Sequence, residues 1–245
     1  MDQHVKDIIL KATCSQFVIS KKAIQSLWSG YGEIFRCQLA GGKYEQIVVK
    51  HVKLPKGHSH PRGWNTDISH QRKLRSYEVE MHWYMELAKR ADDSCKIPKM
   101  IHCWQQEGEM LMVMEDLNAS GYPERKSAVN LTEIKKCLTW LANFHSTYMM
   151  QKPDGLWKIG SYWHLDTRPE ELQVMQDLEL QHAAQAIDNK LNGAKYQTII
   201  HGDAKLANFC FSKDASRVAA VDFQYVGGGC GMKDVAYFFS SCLLE

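Results

Sequence analysis

Ile199-Ile200-His201-Gly202-Asp203-Ala204-Lys205-Leu206-Ala207-Asn208-Phe209, followed by Val221-Asp222-Phe223-Gln224, is the most specific stretch of this 245-residue chain. Its acidic and amide groups come at the ends of apolar runs, where a buried strand delivers a polar tip to a cleft. Asn208 follows Asp203 by five positions, and Asp222 lies fourteen further on. Phosphoryl transfer needs a carboxylate to orient an acceptor hydroxyl and an oxygen-rich pair to hold magnesium on nucleotide phosphates. Asp203 suits the first task; Asn208 and Asp222 suit the second. Loop Asp and Asn residues more commonly cap turns, and it is the joint spacing that weighs against that alternative. Lys205 places a cation two residues after Asp203. It either neutralises charge on the transferring phosphoryl group or points to solvent.

Working outward, the chain changes character near residue 115. Upstream, 33–39 and 46–52 are β-rich runs separated by Ala40-Gly41-Gly42-Lys43, which predicts an antiparallel hairpin. Residues 71–90 lack Gly and Pro and read as a helix, and Met110-Leu111-Met112-Val113-Met114 reads as a short strand. Downstream, a helix opens at Leu131 with Ile134, Cys137, Leu138, Leu141, Phe144 and His145 on one face. A second runs from Pro169 through Leu191 to Asn192-Gly193, and short strands follow at 198–200, 209–211 and 218–221. Gly227-Gly228-Gly229-Cys230-Gly231 lacks the G-K-[ST] ending of a P-loop, since Met232 follows, and reads as a flexible segment leaving Asp222. The expectation is an α+β chain of two lobes, a small antiparallel sheet lobe over 1–116 and a mainly helical lobe over 117–245.

At these residues the chain resembles the protein-kinase-like small-molecule phosphotransferases, the aminoglycoside phosphotransferase and choline kinase group, and most closely the ecdysteroid-kinase-like branch. The family's H-G-D-x-x-x-x-N matches His201 to Asn208, its D-F-[EQ] matches Asp222 to Gln224, and its D-[LV]-A-Y-F helix start matches Asp234 to Phe238. Tyr77 to Tyr84 is similar to the family's F-x-x-E-x-x-F-Y helix, and Met112 to Leu117 to its L-V-L-E-D-L hinge. The resemblance implies a kinase-like fold, ATP and Mg2+ as cofactors, Asp203 as catalytic aspartate, and Asn208 and Asp222 as magnesium ligands. It implies that Lys50 contacts the α- and β-phosphates and that Glu80, rather than Glu78, holds it. It also implies that adenine lies on the backbone from Glu115 to Leu117. Ser29, Gly30 and Gly32, ahead of the first strand, would fold over the triphosphate, although Phe35 stands where G-x-G-x-x-G has its third glycine and a plain turn remains an alternative. Lys205 departs from many relatives and places a cation where protein kinases have one. The acceptor would bind in the helical lobe, with Trp157, Tyr162, Trp163, His164 and Arg168 as candidate walls, or as simple packing of that lobe. Relatives usually continue with further helices beyond Asp234 to Phe239, so a short member or a fragment is expected.

Composition narrows the classes. Thirty basic against 28 acidic residues leave a formal charge of +2, which gives no global field for nucleic acid or an anionic membrane. With 44% hydrophobic and 24% charged residues the chain is of ordinary globular type. No apolar run reaches the ~18 residues of a membrane span, and the polar start Met1 to Asp7 argues against a signal peptide, so a cytoplasmic protein is expected. The eight cysteines form no C-x-x-C pair and read as reduced, core-filling thiols. The basic run from Lys53 to Arg75 reads as a solvated surface, and the nearby histidines fit no metal motif. A protein kinase is disfavoured: only eleven residues separate Asp222 from Asp234, Gly202 replaces the H-R-D arginine, and Gln224 replaces the D-F-G glycine. The reading is therefore a kinase of a small hydroxyl compound; the alternative is a nucleotide-binding pseudokinase with a sensing or scaffolding role.

Overall fold

The computed structural model describes residues 1–27, 30–53 and 67–243. Its contacts group into two compact units, Met1–Thr66 with Pro98–Pro123, and Asp67–Ile97 with Glu124–Glu245.

The first unit is a helix on an antiparallel sheet. Helix α1 (Gln3–Thr13) starts where the Asp2 carboxylate accepts the His4 N–H at 3.1 Å. Strands β1 (Phe17–Ser26), β2 (Gly32–Ala40), β3 (Gln46–Lys53), β4 (Met100–Gln106) and β5 (Glu109–Glu115) follow, in the spatial order β1-β2-β3-β5-β4. The Ala40 to Lys43 turn joins β2 to β3 as an antiparallel pair, as its composition predicts. Val5 and Ile9 of α1 pack on Phe35, Cys37, Leu39, Ile47, Val49, Leu111 and Val113, so alternate residues of three strands share one core. That alternation fixes Lys50. It follows core-facing Val49, pairs across to Ile34 and Met112, and lies on the face away from α1. The sequence pattern marks no element at α1, β1 or β4. The two strands are the sheet's edges, β1 is exposed at nearly every position, and an edge shows little of the inward–outward alternation that marks a strand.

The second unit begins with α2 (Asp67–His82), which runs into a π-helical turn at Trp83–Leu87 and a short 3-10 turn at Ala88–Arg90. The boundary at 116/117 thus differs from the observed grouping, because α2 packs with the downstream chain: Trp83 stacks on Phe223 at 5.1 Å between ring centres. Helix α3 (Leu131–Thr147) starts in a capping box between Asn130 and Glu133 and buries Ile134, Cys137, Trp140, Leu141, Phe144 and His145. Trp140 stacks on Phe144 at 4.9 Å and meets Phe209 edge-on, and its indole N–H donates to the Lys96 carbonyl. The helix expected over Pro169 to Leu191 is two, α4 (Pro169–Gln173) and α5 (Leu178–Asn192). Asp177 interrupts it by capping α5, its carboxylate accepting the Leu180 N–H at 2.9 Å.

Strand β6 (Thr198–Ile200) leads to the motif, β7 (Phe209–Phe211) pairs with β8 (Val218–Ala220), and α6 (Met232–Cys242) closes the described chain. The glycine run is not a flexible segment. Gly227–Gly229 is strand β9, antiparallel to β6. A side chain on Gly227 would strike the Trp157 carbonyl, and one on Gly228 would come within 2.8 Å of the Lys158 carbonyl oxygen, so glycines are what let this strand fit. Among the described residues no helix is long and apolar enough to cross a membrane. Cys37, Cys95, Cys137 and Cys210 are buried.

Candidate active site

The turn after β6 has little regular structure, and its backbone is held by side chains from elsewhere. Asp234, at the start of α6, is buried and accepts the N–H groups of His201 at 2.7 Å and Gly202 at 2.9 Å. His145 of α3 reaches the same carboxylate at 2.8 Å. Burial works against the Asp234 charge, but the hydrogen bond and charge of His145, with the Gly202 amide, hold its pKa below the usual carboxylate value. Gly202 has φ 78°, and a Cβ there would fall on the Tyr225 carbonyl oxygen, so no arginine of the H-R-D kind fits. Its own carbonyl accepts the Tyr162 N–H at 2.7 Å.

Asp203 follows, 3% exposed. Its Oδ2 accepts from Lys205 Nζ and from Asn208 Nδ2, each at 3.0 Å. Its Oδ1 is buried and has no hydrogen-bond partner among the described residues. Burial, then the Asp222 charge, push the Asp203 pKa up, with Lys205 pulling the other way. Burial also opposes the Lys205 charge, but Asp203 outweighs it and raises the ammonium's pKa. Lys205 therefore faces Asp203 rather than open solvent.

Asn208 donates both amide hydrogens to Asp203, to Oδ2 and to the backbone carbonyl at 2.7 Å. That leaves its Oδ1 as the atom able to take a cation. The next motif is tied to the same turn. Val221 N–H donates to the Asn208 carbonyl at 3.0 Å, and the Val221 carbonyl lies 3.0 Å from His201 Nε2. His201 Nδ1 accepts the Asp203 N–H, so Nε2 is the nitrogen that carries the proton to Val221. Asp222 adopts φ 70°, unusual outside glycine, and Phe223 beside it is wedged among Trp83, Tyr84, Phe144 and His201. An orphaned buried carboxylate oxygen, an amide whose nitrogen is already spent on Asp203 and a second carboxylate near enough to raise the first fit a magnesium–phosphate complex, which takes few protein ligands. The described residues hold no cluster of three or more His, Cys, Asp or Glu suited to a metal.

The remaining candidates fall in both units. Lys50 is 2% exposed on β3 in the first unit, and Glu80 is 2% exposed on α2 in the second. Glu78 is half exposed and pairs with Arg75 at 3.3 Å. Gly30 has φ 76° and open space where a side chain would be; Gly32 is needed because a Cβ would meet the His51 carbonyl of its own sheet. Ser29 lies outside the described residues. Phe35, in the third-glycine position, is a core residue. The Glu115 carboxylate accepts the Lys99 N–H at 2.9 Å, and the Leu117 carbonyl accepts the Tyr122 N–H at 2.8 Å. Among the described residues the Leu117 N–H has no partner. Between them, Asp116 receives Arg36.

The aromatic candidates form a connected wall. Trp157 stacks with Tyr225, Tyr225 meets Tyr162 edge-on, and the Arg168 guanidinium lies 3.9 Å over Tyr162 and 5.1 Å over Trp163. His164 pairs with Asp166 at 3.2 Å. Tyr237, one turn after Asp234, interacts with both Asp203 and Trp163; burial and the Asp203 charge raise its pKa. In the sequence Asp234 stands in a recognisable motif with no task of its own, and His145 looks like one more residue of an apolar helix face. A histidine on that face was the available signal: a buried imidazole needs a partner, and the carboxylate 89 positions away is it.

The ecdysteroid kinase-like family profile matches residues 38–158 and 160–245. A crystal structure of an aminoglycoside-3'-phosphotransferase of type VIII is similar with a TM-score of 0.56 at 14% identity, covering 98% of this chain and 84% of that one. An aminoglycoside phosphotransferase from Streptomyces rimosus gives a TM-score of 0.47 at 13% identity over 90% of this chain and 77% of its own. The first likeness shows a kinase-like fold. No curated protein matches the chain.

Proposed function

The chain belongs to the ecdysteroid kinase-like family, and we propose that it is an ATP- and magnesium-dependent kinase that transfers the γ-phosphoryl group to a hydroxyl of a small organic molecule. The observation that carries this reading is the Asp203 carboxylate: buried, with one oxygen anchored by Lys205 and Asn208 and the other without a hydrogen-bond partner among the described residues. A carboxylate so held can orient an acceptor hydroxyl and take its proton as the new P–O bond forms. Asn208 and Asp222 would hold magnesium, which supplies charge neutralisation on the phosphates. Lys205 is close enough to the base to add a positive charge beside the transferring group.

In the same proposal Lys50 binds the α- and β-phosphates with Glu80 as its counter-charge, and the turn at Ser29, Gly30 and Gly32 covers the triphosphate. The backbone from Glu115 to Leu117 takes the adenine edge, with the Leu117 N–H as donor. The wall of Trp157, Tyr162 and Trp163, with His164 and Arg168, receives the acceptor; aromatic faces with few polar tips suit a compact organic ligand. The protein is proposed to act in the cytoplasm.

The test is a panel of hydroxyl compounds assayed for ATP consumption with magnesium, with Asp203→Ala as control. Acceptor-dependent turnover in the wild type and none in the variant is expected. Wild-type protein that binds magnesium-ATP and leaves every compound untouched would favour the pseudokinase.

A further inference from the structure

Gln224 lies next to the residues assigned a task, and the kinase reading gives it none. It is nearly fully buried, and its three polar contacts run in two directions. Its side-chain Oε1 accepts from Lys73 Nζ at 2.7 Å and from the Ser76 hydroxyl at 3.3 Å, both on α2. Its backbone carbonyl accepts the Trp157 indole N–H at 2.7 Å. Lys73, Ser76 and Glu80 stand at i, i+3 and i+7, the spacing of a single helix face. Phe223, one residue earlier, is gripped by the end of the same helical segment through Trp83 and Tyr84. The two residues after Asp222 thus join it to α2: an apolar wedge at the helix's C-terminal end and a polar clasp about two turns earlier. A wedge alone allows a helix to rotate about its axis; a second attachment removes that freedom.

We infer that Gln224 is a positioning residue that locks α2, and with it Glu80, in register with Asp222. The choice of side chain follows from the partners. A glycine here would take the acceptor oxygen from the Lys73 ammonium and leave the fully buried Ser76 hydroxyl only the Lys73 backbone carbonyl, 2.7 Å away on its own helix. A glutamate keeps an acceptor oxygen and would pair with the Lys73 ammonium. The clasp operates without ligand; its consequence for magnesium rests on the kinase reading.

The experiment has two readouts. Hydrogen exchange of residues 73–84 in the ligand-free protein measures the lock itself. Gln224→Leu should accelerate exchange there at least tenfold and Gln224→Glu should not. Calorimetric titration of ATP at stepped magnesium chloride measures the consequence: Gln224→Leu should require about tenfold more magnesium, as losses of groups that orient metal ligands typically do, with Gln224→Glu within about threefold of wild type. Lys73→Met, which removes the partner instead, should reproduce the leucine variant and stands in for it if that protein folds poorly. Unchanged exchange in both Gln224→Leu and Lys73→Met overturns the inference. Faster exchange in a protein whose wild type shows no magnesium-dependent ATP binding would keep the lock and remove the kinase reading. Faster exchange with an unchanged magnesium requirement would overturn the link to Asp222.

Discussion

Asp203 sits in a turn without regular structure, fixed by hydrogen bonds that arrive from α6, from the Tyr162 backbone and from Val221. Lys50 sits inside β3, where its direction follows from strand register and from Val49 facing the core. The first position depends on a few buried polar groups, each with its own partner. The second depends on a ladder of backbone bonds that any side chain would inherit. Damage should differ accordingly: in the turn, changes to supporting residues cost stability and activity together, whereas replacing the Lys50 or Glu80 side chain itself should cost activity far more than stability.

The largest effect should come from Asp203→Asn, which tests whether the turn serves chemistry or only folding. Turnover of an accepted alcohol should fall about a thousandfold or more, roughly 4 kcal/mol of barrier, while magnesium-ATP binding persists. Stability should not fall. A carboxyl whose folded pKa is raised is destabilised in its ionised form, so its cost to the fold appears as pH rises from the unfolded toward the folded value, and the amide escapes it. A thermal midpoint at pH 7 well below wild type would contradict this.

Asp234→Ala should destabilise by about 3 kcal/mol in chemical denaturation, since it strands two buried amides and an imidazole. Its folded pKa is depressed, so its contribution is complete above about pH 4 and is lost as pH falls through the lower folded value. The acid limb of stability should therefore be shallower in Asp234→Asn than in wild type.

Gly202→Ala should cost about 2 kcal/mol by the same measurement, through a strained φ and contact with the Tyr225 carbonyl. Full stability would mean that the turn relaxes and that its backbone is less fixed than its hydrogen bonds indicate.

The smallest effects probe Lys50 through its proposed partner. Glu80→Gln should lower kcat/KM about tenfold with the melting curve little changed. Glu78→Gln, on an exposed pair with Arg75, should change neither by more than about 0.5 kcal/mol. Equal losses in the two variants would remove Glu80 from the site.

The same contrast explains what the sequence disclosed. The H-G-D and D-F-Q stretches were legible because a turn built from specific side chains leaves them at fixed spacings, and the β2–β3 hairpin was legible from alternation around a glycine turn. Asp234 and His145 were harder, because their meaning is a contact between residues far apart in the chain, and each looks ordinary in its own helix. Edge strand β1 lacks a buried face to impose a pattern. The break before α5 turns on one capping aspartate in an otherwise helical run, which periodicity averages away.

Strand β9 has a consequence for experiments that treat tolerance to substitution as a guide to chemistry. Its glycines at 227 and 228 fit against the backbone of Trp157 and Lys158, and the third, at 229, would press a side chain into Ile200. A saturation library should find replacements there as damaging as replacements of a catalytic carboxylate. Read without coordinates, such a map would place a reactive centre on three residues that carry no functional group. Assaying soluble yield beside turnover separates the two: β9 variants should lose protein, whereas Asp203 variants should lose only rate.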